Sequence, residues 1–180
     1  MLSIQINGGN SSTLYWFDTV RWNQFINNWR VLVRLAAALG CKGIIVDVED
    51  YGGGLFSYQH QQTYQPATFA AYQAQVNAMD QAMMTEVNQY APTLKLHFYY
   101  AWSLYYDETV RKNLAPENSN YGLLLAFLNG LVASGNPSSG IVDLNEFAYD
   151  YLTENCFAGS KAQRDSYLAT LYTDPALSRI

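Results

Sequence analysis

The 180-residue chain has little charge: only 14 % of its residues are charged, where a typical domain has about a quarter. Its formal net charge is −5 and it contains no cluster of Lys and Arg, so nucleic acid is not an expected partner. No apolar stretch approaches the roughly eighteen residues of a membrane span, so no membrane association is expected. The N-terminus lacks the basic and apolar regions of a signal peptide, which leaves a cytoplasmic location as the default expectation.

The chain is also poor in cysteine and histidine. Cys41 and Cys156 are its two cysteines and no CxxC motif is present, which argues against a disulfide framework or a zinc site. A single bridge between these two cysteines stays open. The two histidines, His60 and His97, are far apart in sequence, and GxSxG, P-loop and GxGxxG motifs are absent. No cofactor is therefore predicted.

Apolar and aromatic residues are abundant: 49 % of the chain is hydrophobic and fifteen residues are Tyr. This is enough for one domain over residues 1–180. Four apolar runs predict β-strands at residues 2–7, 41–49, 94–102 and 141–149. Helical segments follow them at about 22–39, 68–90, 121–133 and 161–172. This alternation predicts βαβ units and a parallel sheet.

The predicted strands alternate between apolar and polar residues. In the second strand, Ile44, Val46 and Val48 alternate with Ile45, Asp47 and Glu49. A doubly wound sheet is covered on both faces and would instead have continuous apolar strands. We therefore expect a barrel-like sheet with helices on its outer face and a polar concavity. Four βα units make half of a (β/α)8 barrel, which needs about 200 residues or more when complete.

An open half-barrel leaves two strand edges unpaired, which is a liability for a soluble protein. We therefore expect a homo-oligomer in which two copies complete the barrel, although a fragment of a longer protein would give the same pattern.

Carboxylates follow the second strand in the stretch "GIIVDVEDYGGG". Asp47 and Glu49 share a parity and should both face the concavity at the carboxyl end of the strand, where barrel enzymes carry their reacting groups. Two carboxylates on one face raise the proton affinity of at least one of them, as a general acid requires. The alternative is a strand end hydrogen-bonded to loop amides. Asp50 has the other parity.

The stretch "IVDLNEFAYD" supplies a second set of candidates. Strict alternation predicts that Asp143 and Asn145 point inward, while Val142 and Leu144 face the helices. Glu146 would enter the site only if the strand bulges at its end. Carboxylates from the second and fourth strands can then reach the separation of about 5 to 9.5 Å found in glycosidases.

Aromatic residues lie near the same strand ends, and their flat faces suit sugar rings. We predict substrate-binding roles for Tyr51, Tyr99, Trp102 and Tyr149, together with Asn145. Packing between the barrel and its loops is the alternative for any single ring.

The stretches "GIIVDVEDYGG" and "DLNEFAYDY" resemble segments of the (β/α)8 glycoside hydrolase superfamily. A looser similarity is to the chitinase-like family, whose motif Asp-x-x-Asp-x-Asp-x-Glu is matched in its last three positions by Asp47-Val48-Glu49. Ile45 replaces the preceding Asp of that motif. The resemblance implies that Glu49 is the acid, and "AYDY" implicates Tyr149 and Asp150.

These features together predict a glycoside hydrolase acting on a carbohydrate. Glu49 would protonate the leaving-group oxygen, Asp47 would tune Glu49, and Glu146 or Asp143 would act as nucleophile or base. The alternatives are a noncatalytic carbohydrate-binding domain, an esterase-type hydrolase and a metal site of Asp47, Glu49 and Asp143.

Overall fold

The computed structural model describes residues 1–6, 14–49, 54–136 and 138–171. Its strands are β1 (Leu2–Gln5), β2 (Gly43–Asp47), β3 (Lys95–Phe98) and β4 (Gly140–Asp143). They form one sheet in the order β1-β2-β3-β4, and each neighbouring pair is parallel. The prediction of an α/β half-barrel with a parallel sheet is confirmed. Each strand is shorter than predicted: β2, β3 and β4 end at Asp47, Phe98 and Asp143, where the prediction ran on to residues 49, 102 and 149.

Four long helices follow the four strands. They are α1 (Thr19–Ala38), α3 (Phe69–Tyr90), α5 (Leu124–Ser134) and α6 (Glu154–Leu171), with the single turns α2 (Tyr58–Gln61) and α4 (Trp102–Tyr105) between them. A π-helical turn spans Tyr106–Val110, and 3₁₀ turns span Pro116–Asn118 and Glu146–Asp150. The four predicted helices correspond to α1, α3, α5 and α6, but α6 begins seven residues earlier than predicted.

Local signals explain where α1 and α3 begin and end. Asp18 and Thr68 cap the two helices by accepting hydrogen bonds from Arg21 N and Ala71 N. Gly40 ends α1 with φ +65°, a left-handed conformation that a residue with a β-carbon rarely adopts. The predicted stop at Gly40 is thus present in the structure.

Register places the apolar residues of β1 to β3 on the helix-bearing face. Leu2, Ile44, Leu96 and Ile141 are aligned across the four strands, and so are Ile4, Val46, Phe98 and Asp143. The predicted orientation of β4 is wrong, because Ile141 and Asp143 share the helix face while Val142 lies beside His97 on the other face. Two consecutive apolar residues, Ile141 and Val142, made either parity possible.

The core lies between this face and the helices, and all four tryptophans are buried. Three of their indole N–H groups donate to carbonyl oxygens: Trp16 to Leu55 at 2.7 Å, Trp22 to Tyr15 at 3.0 Å and Trp29 to Met83 at 2.9 Å. Each ring therefore buries its area without leaving its polar atom unpaired.

Cys41 and Cys156 are free thiols, so the bridge left open by the sequence is not formed. None of the described helices is both long and apolar enough to cross a membrane.

Candidate functional site

Asp47 is the last residue of β2 and is held by groups from both sides. Its Oδ1 accepts a hydrogen bond from Glu49 N at 2.9 Å, and its Oδ2 accepts one from Gln5 Nε2 at 3.4 Å. Gln5 is its register partner on β1, and Ile6 N donates to the Asp47 carbonyl at 2.9 Å. The first of these bonds closes the strand end on itself. The alternative interpretation expected bonds from the amides of the glycine loop, and residues 51–53 of that loop lie outside the described residues.

Burial raises the pKa of Asp47 above its ordinary value, and the charge of Glu49 raises it further. The hydrogen bonds from Glu49 N and Gln5 oppose this change, because they stabilise the carboxylate. Asp47 and Glu49 are both half-buried, whereas Val48 between them is buried in the core. The two acidic side chains therefore leave the strand on the side away from the core, as their parity predicted.

The end of β4 brings Glu146 to the same region through a break in the strand geometry. Asn145 has φ 49° and ψ 67°, a left-handed conformation, and the 3₁₀ turn begins directly after it. Leu144 N still donates to Phe98 O at 2.8 Å, and Glu146 N donates to Tyr99 O at 3.0 Å. The segment after β4 therefore stays bonded to the end of β3 and to Tyr99, and the departure from alternation that Glu146 required is present at Asn145.

The ionisation of Glu146 depends on the acids at the carboxyl end of β2. Burial raises the pKa of Glu146, and the charges of Glu49 and then Asp47 raise it further. We call Asp47, Glu49 and Glu146 the carboxylate cluster. Its members come from the carboxyl end of β2 and the residues just after it, and from the segment after β4; β3 lies between these two strands.

Tyr100, which follows β3, lies beside this cluster. Burial, together with the charges of Glu146 and Glu49, raises its pKa to about 12. Its ring packs against Phe147 with 4.7 Å between ring centroids. Tyr149 also raises the pKa of Tyr100, by less than the two carboxylates do. Tyr149 itself is 79 % exposed. Tyr100 thus provides a neutral hydroxyl near two carboxylates, and Tyr149 an open aromatic face at the rim.

Asp143 has a different role from the one predicted. It lies on the helix face of β4, where its carboxylate accepts hydrogen bonds from Ser103 N at 2.8 Å, Ser103 Oγ at 2.9 Å and Asn145 N at 2.9 Å. Its oxygens are thus committed to α4 and to the turn at Asn145. Asp143 holds the backbone that presents Glu146, and it does not point into the concavity.

Three further predicted binding residues have distinct positions. Trp102 is 1 % exposed and belongs to the core, so its predicted contact with a sugar is wrong. Asn145 is 6 % exposed and its Nδ2 donates to Tyr151 Oη at 3.5 Å, which ties the side chain to a neighbouring turn. Tyr99 is half-buried, and its carbonyl accepts from Glu146 N. Tyr51 and Asp50 lie outside the described residues.

The sequence did not single out Gln5 or Tyr100 for this site. Gln5 has the same parity on β1 as Asp47 has on β2, so a correct register would have paired them. Tyr100 follows Tyr99 in a run of aromatics, and no periodic signal separates the two once the strand has ended.

The arrangement suits proton transfer between acids that share a site. Carboxylates in one partly desolvated region lose their protons at different pH values, so one can stay protonated while another is charged. Among the residues that the structure describes, no group of three or more His, Cys, Asp or Glu is placed to hold a metal ion. The alternative metal site of Asp47, Glu49 and Asp143 is therefore not formed.

Comparisons with family models, with curated proteins and with solved structures found no match to this chain.

Proposed function

We propose that the protein is a glycoside hydrolase of the (β/α)8 type that acts through the carboxylate cluster. The observation that carries this proposal is that acidic residues lie at the carboxyl ends of two strands, Asp47 and Glu49 at the end of β2 and Glu146 in the turn after β4, where Glu146 N donates to Tyr99 O at 3.0 Å. Glycosidases use two carboxyl groups in unequal protonation states on either side of the bond they cleave. The exposed Tyr149 and the Tyr100 hydroxyl would contact the sugar.

Within this proposal the raised pKa of Glu146 favours it as the general acid. Glu146 would protonate the leaving-group oxygen, while the Glu49 carboxylate would attack the anomeric carbon or deprotonate the attacking water. This reverses the roles that the resemblance to the chitinase-like family implies. Asp47 would raise the proton affinity of Glu146 and hold the Glu49 backbone through its 2.9 Å hydrogen bond.

The test compares Glu146→Gln and Glu49→Gln on aryl glycosides with good and poor leaving groups. A general acid contributes about 10²- to 10⁴-fold, and an activated phenol leaves without its help. Glu146→Gln should therefore lose about 10²-fold or more on poor leaving groups and far less on dinitrophenyl glycosides. Glu49→Gln should lose activity on both. Glu117→Gln, which changes an exposed acid outside the cluster, is the matched control.

Two outcomes would contradict the proposal. If both variants hydrolysed every cleaved glycoside at the wild-type rate, the carboxylate cluster would not be the active site. If the wild-type protein bound sugars without turnover over a broad panel, the noncatalytic carbohydrate-binding alternative would replace the enzyme.

A further inference from the structure

Both edges of the described sheet are open. β1 and β4 are the outermost strands, and no further strand pairs with either of them within the described ranges. Such edges present unpaired N–H and C=O groups that can join another strand. Because all four strands are parallel, β4 of one molecule can pair with β1 of another without reversing any strand direction.

Exposed apolar side chains concentrate at these two edges. Twelve large apolar side chains are exposed among the described residues, and nine of them belong to the first or the last βα unit. The nine are Met1, Val20, Val31, Leu35 and Leu39 at the β1 edge, and Leu144, Tyr149, Leu152 and Phe157 at the β4 edge. Their clustering is typical of an interaction surface, whereas scattered exposed apolar residues need no explanation.

The two helices at the edges are incompletely packed. In α6, no residue from 154 to 170 is buried, although α1, α3 and α5 each bury four or more. Ring contacts of Tyr167 with Tyr105 and Tyr106 help to hold α6 in place. In α1, Val31, Leu35 and Leu39 are spaced by four and form an exposed stripe away from the buried face. Most of the stability of a helix in a protein comes from the packing of its apolar face, and α6 has little of this packing within one chain.

The edges also differ in charge. α1 contains Arg21, Arg30 and Arg34 and no acidic residue. Residues 143–154 contain Asp143, Glu146, Asp150 and Glu154 and no basic residue. At the N-terminal ends of the two helices, Arg21 of α1 and Glu154 of α6 carry opposite charges, so a β4 edge that faces a β1 edge brings these opposite charges together.

We propose that two copies of the chain associate edge to edge about a two-fold axis that becomes the axis of the closed barrel. β4 of each copy pairs with β1 of its partner, and α6 packs on the partner's α1. The product is a closed eight-stranded parallel sheet with eight βα units, and this closure leaves no strand edge open. α1 and α6 each follow a strand of the parallel sheet, so both helices begin at the carboxyl end of the sheet. When α6 packs on the partner's α1, their N-terminal ends therefore lie together, which brings Glu154 and Phe157 close to the partner's Arg21. This association is independent of the chemistry of the carboxylate cluster.

Light scattering and sedimentation equilibrium over a concentration series test the proposal. The wild-type mass should reach twice the 20.3 kDa of one chain and stop there. Leu35→Ser at one edge and Phe157→Ser at the other should each weaken association roughly tenfold or more, because each removes an apolar contact from both interfaces of the dimer. Leu114→Ser is the matched control, since Leu114 is 41 % exposed but lies in the middle of the chain.

A monomer at every concentration would overturn the proposal. So would a mass that keeps rising beyond two chains, because an open chain of molecules is not a closed barrel. Equal effects of the three substitutions would also overturn it. All three side chains are exposed, so circular dichroism should show unchanged folding, and a loss of association then reports on the interface.

Discussion

Asp80 is the most unusual acidic residue outside the carboxylate cluster. It lies in α3 with its side chain fully buried, and neither carboxylate oxygen has a hydrogen-bond partner among the described residues. Asn77 Oδ1 is also buried and has no hydrogen-bond partner among the described residues. Gly130 of α5 lies against both side chains, because a β-carbon at this position would be 2.4 Å from Asp80 Oδ2 and 3.0 Å from Asn77 Oδ1. Burial raises the pKa of Asp80 well above its ordinary value.

This shift predicts that Asp80→Asn stabilises the protein at neutral pH. The folded-state pKa exceeds the unfolded value of about 3.9, so the native state holds the proton more tightly. The free energy of unfolding therefore falls by about 1.4 kcal/mol per pH unit from about pH 4 up to the folded-state pKa. Asn has no proton to lose, so the variant should match the wild type below about pH 4 and exceed it at pH 7.

Urea unfolding between acid and neutral pH measures this difference. Asp165→Asn, at an exposed acid of α6, is the control and should leave the pH dependence nearly unchanged. Parallel curves for Asp80→Asn and the wild type would show that Asp80 is not protonated in the native state.

Residue parity predicted part of the candidate site and missed another part. Asp47 and Glu49 leave β2 on the predicted side, because three alternating pairs fix the faces of that strand. Glu146 depends on the left-handed Asn145, and sequence alternation contains no signal for that conformation. Trp102 was assigned to the site because it follows a strand, but the apolar area of its ring is buried in the core.

At the scale of elements, the sequence predicted helices better than strand orientation. α1 and α3 are long, periodic and capped, so their limits agree with the prediction to within a few residues. β4 is four residues long and begins with two apolar residues after a glycine, so its burial pattern has no clear period of two. The register with β3 decides its orientation, and that is a tertiary property.

The ion pair between α1 and α3 gives a prediction at this scale. Arg30 donates to both oxygens of the buried Glu86, from Nε at 2.9 Å and from Nη2 at 2.8 Å. Replacing Arg30 with Met leaves the buried Glu86 carboxylate without its cation. This lowers the free energy of unfolding more than leaving an exposed carboxylate of a surface pair without its cation. We expect a clear fall in the midpoint of thermal unfolding for Arg30→Met.

Arg111→Met serves as the comparison, because Arg111 is 66 % exposed in its pair with Asp107. That substitution should change the midpoint little. If the two variants lost the same stability, the buried pair would not hold α1 against α3 more strongly than a surface pair does.

At the scale of the molecule, the parallel order of the strands was predictable from the βα alternation, because parallel strands need a connecting helix. How much of each helix is buried was not predictable in the same way. The sequence of α6 contains Tyr, Leu, Phe and Ala and predicts an ordinary helix, yet it meets few described neighbours. A helix beside an outermost strand has fewer neighbours than a helix beside an inner strand. The strand–helix pattern of the sequence does not say which strand is outermost.

This uneven packing predicts uneven hydrogen exchange. In dilute protein, amides of α6 should exchange fastest among the four long helices, because no residue from 154 to 170 is buried and few contacts oppose local opening. Amides of β2, β3 and α3 should exchange slowest, since Val46, Phe98 and Met83 are completely buried. Mass spectrometry of peptides from each element measures the order directly. Protection of α6 equal to that of α3 in Leu35→Ser, the variant expected to remain monomeric, would mean that α6 is stabilised within one chain and does not need the partner's α1.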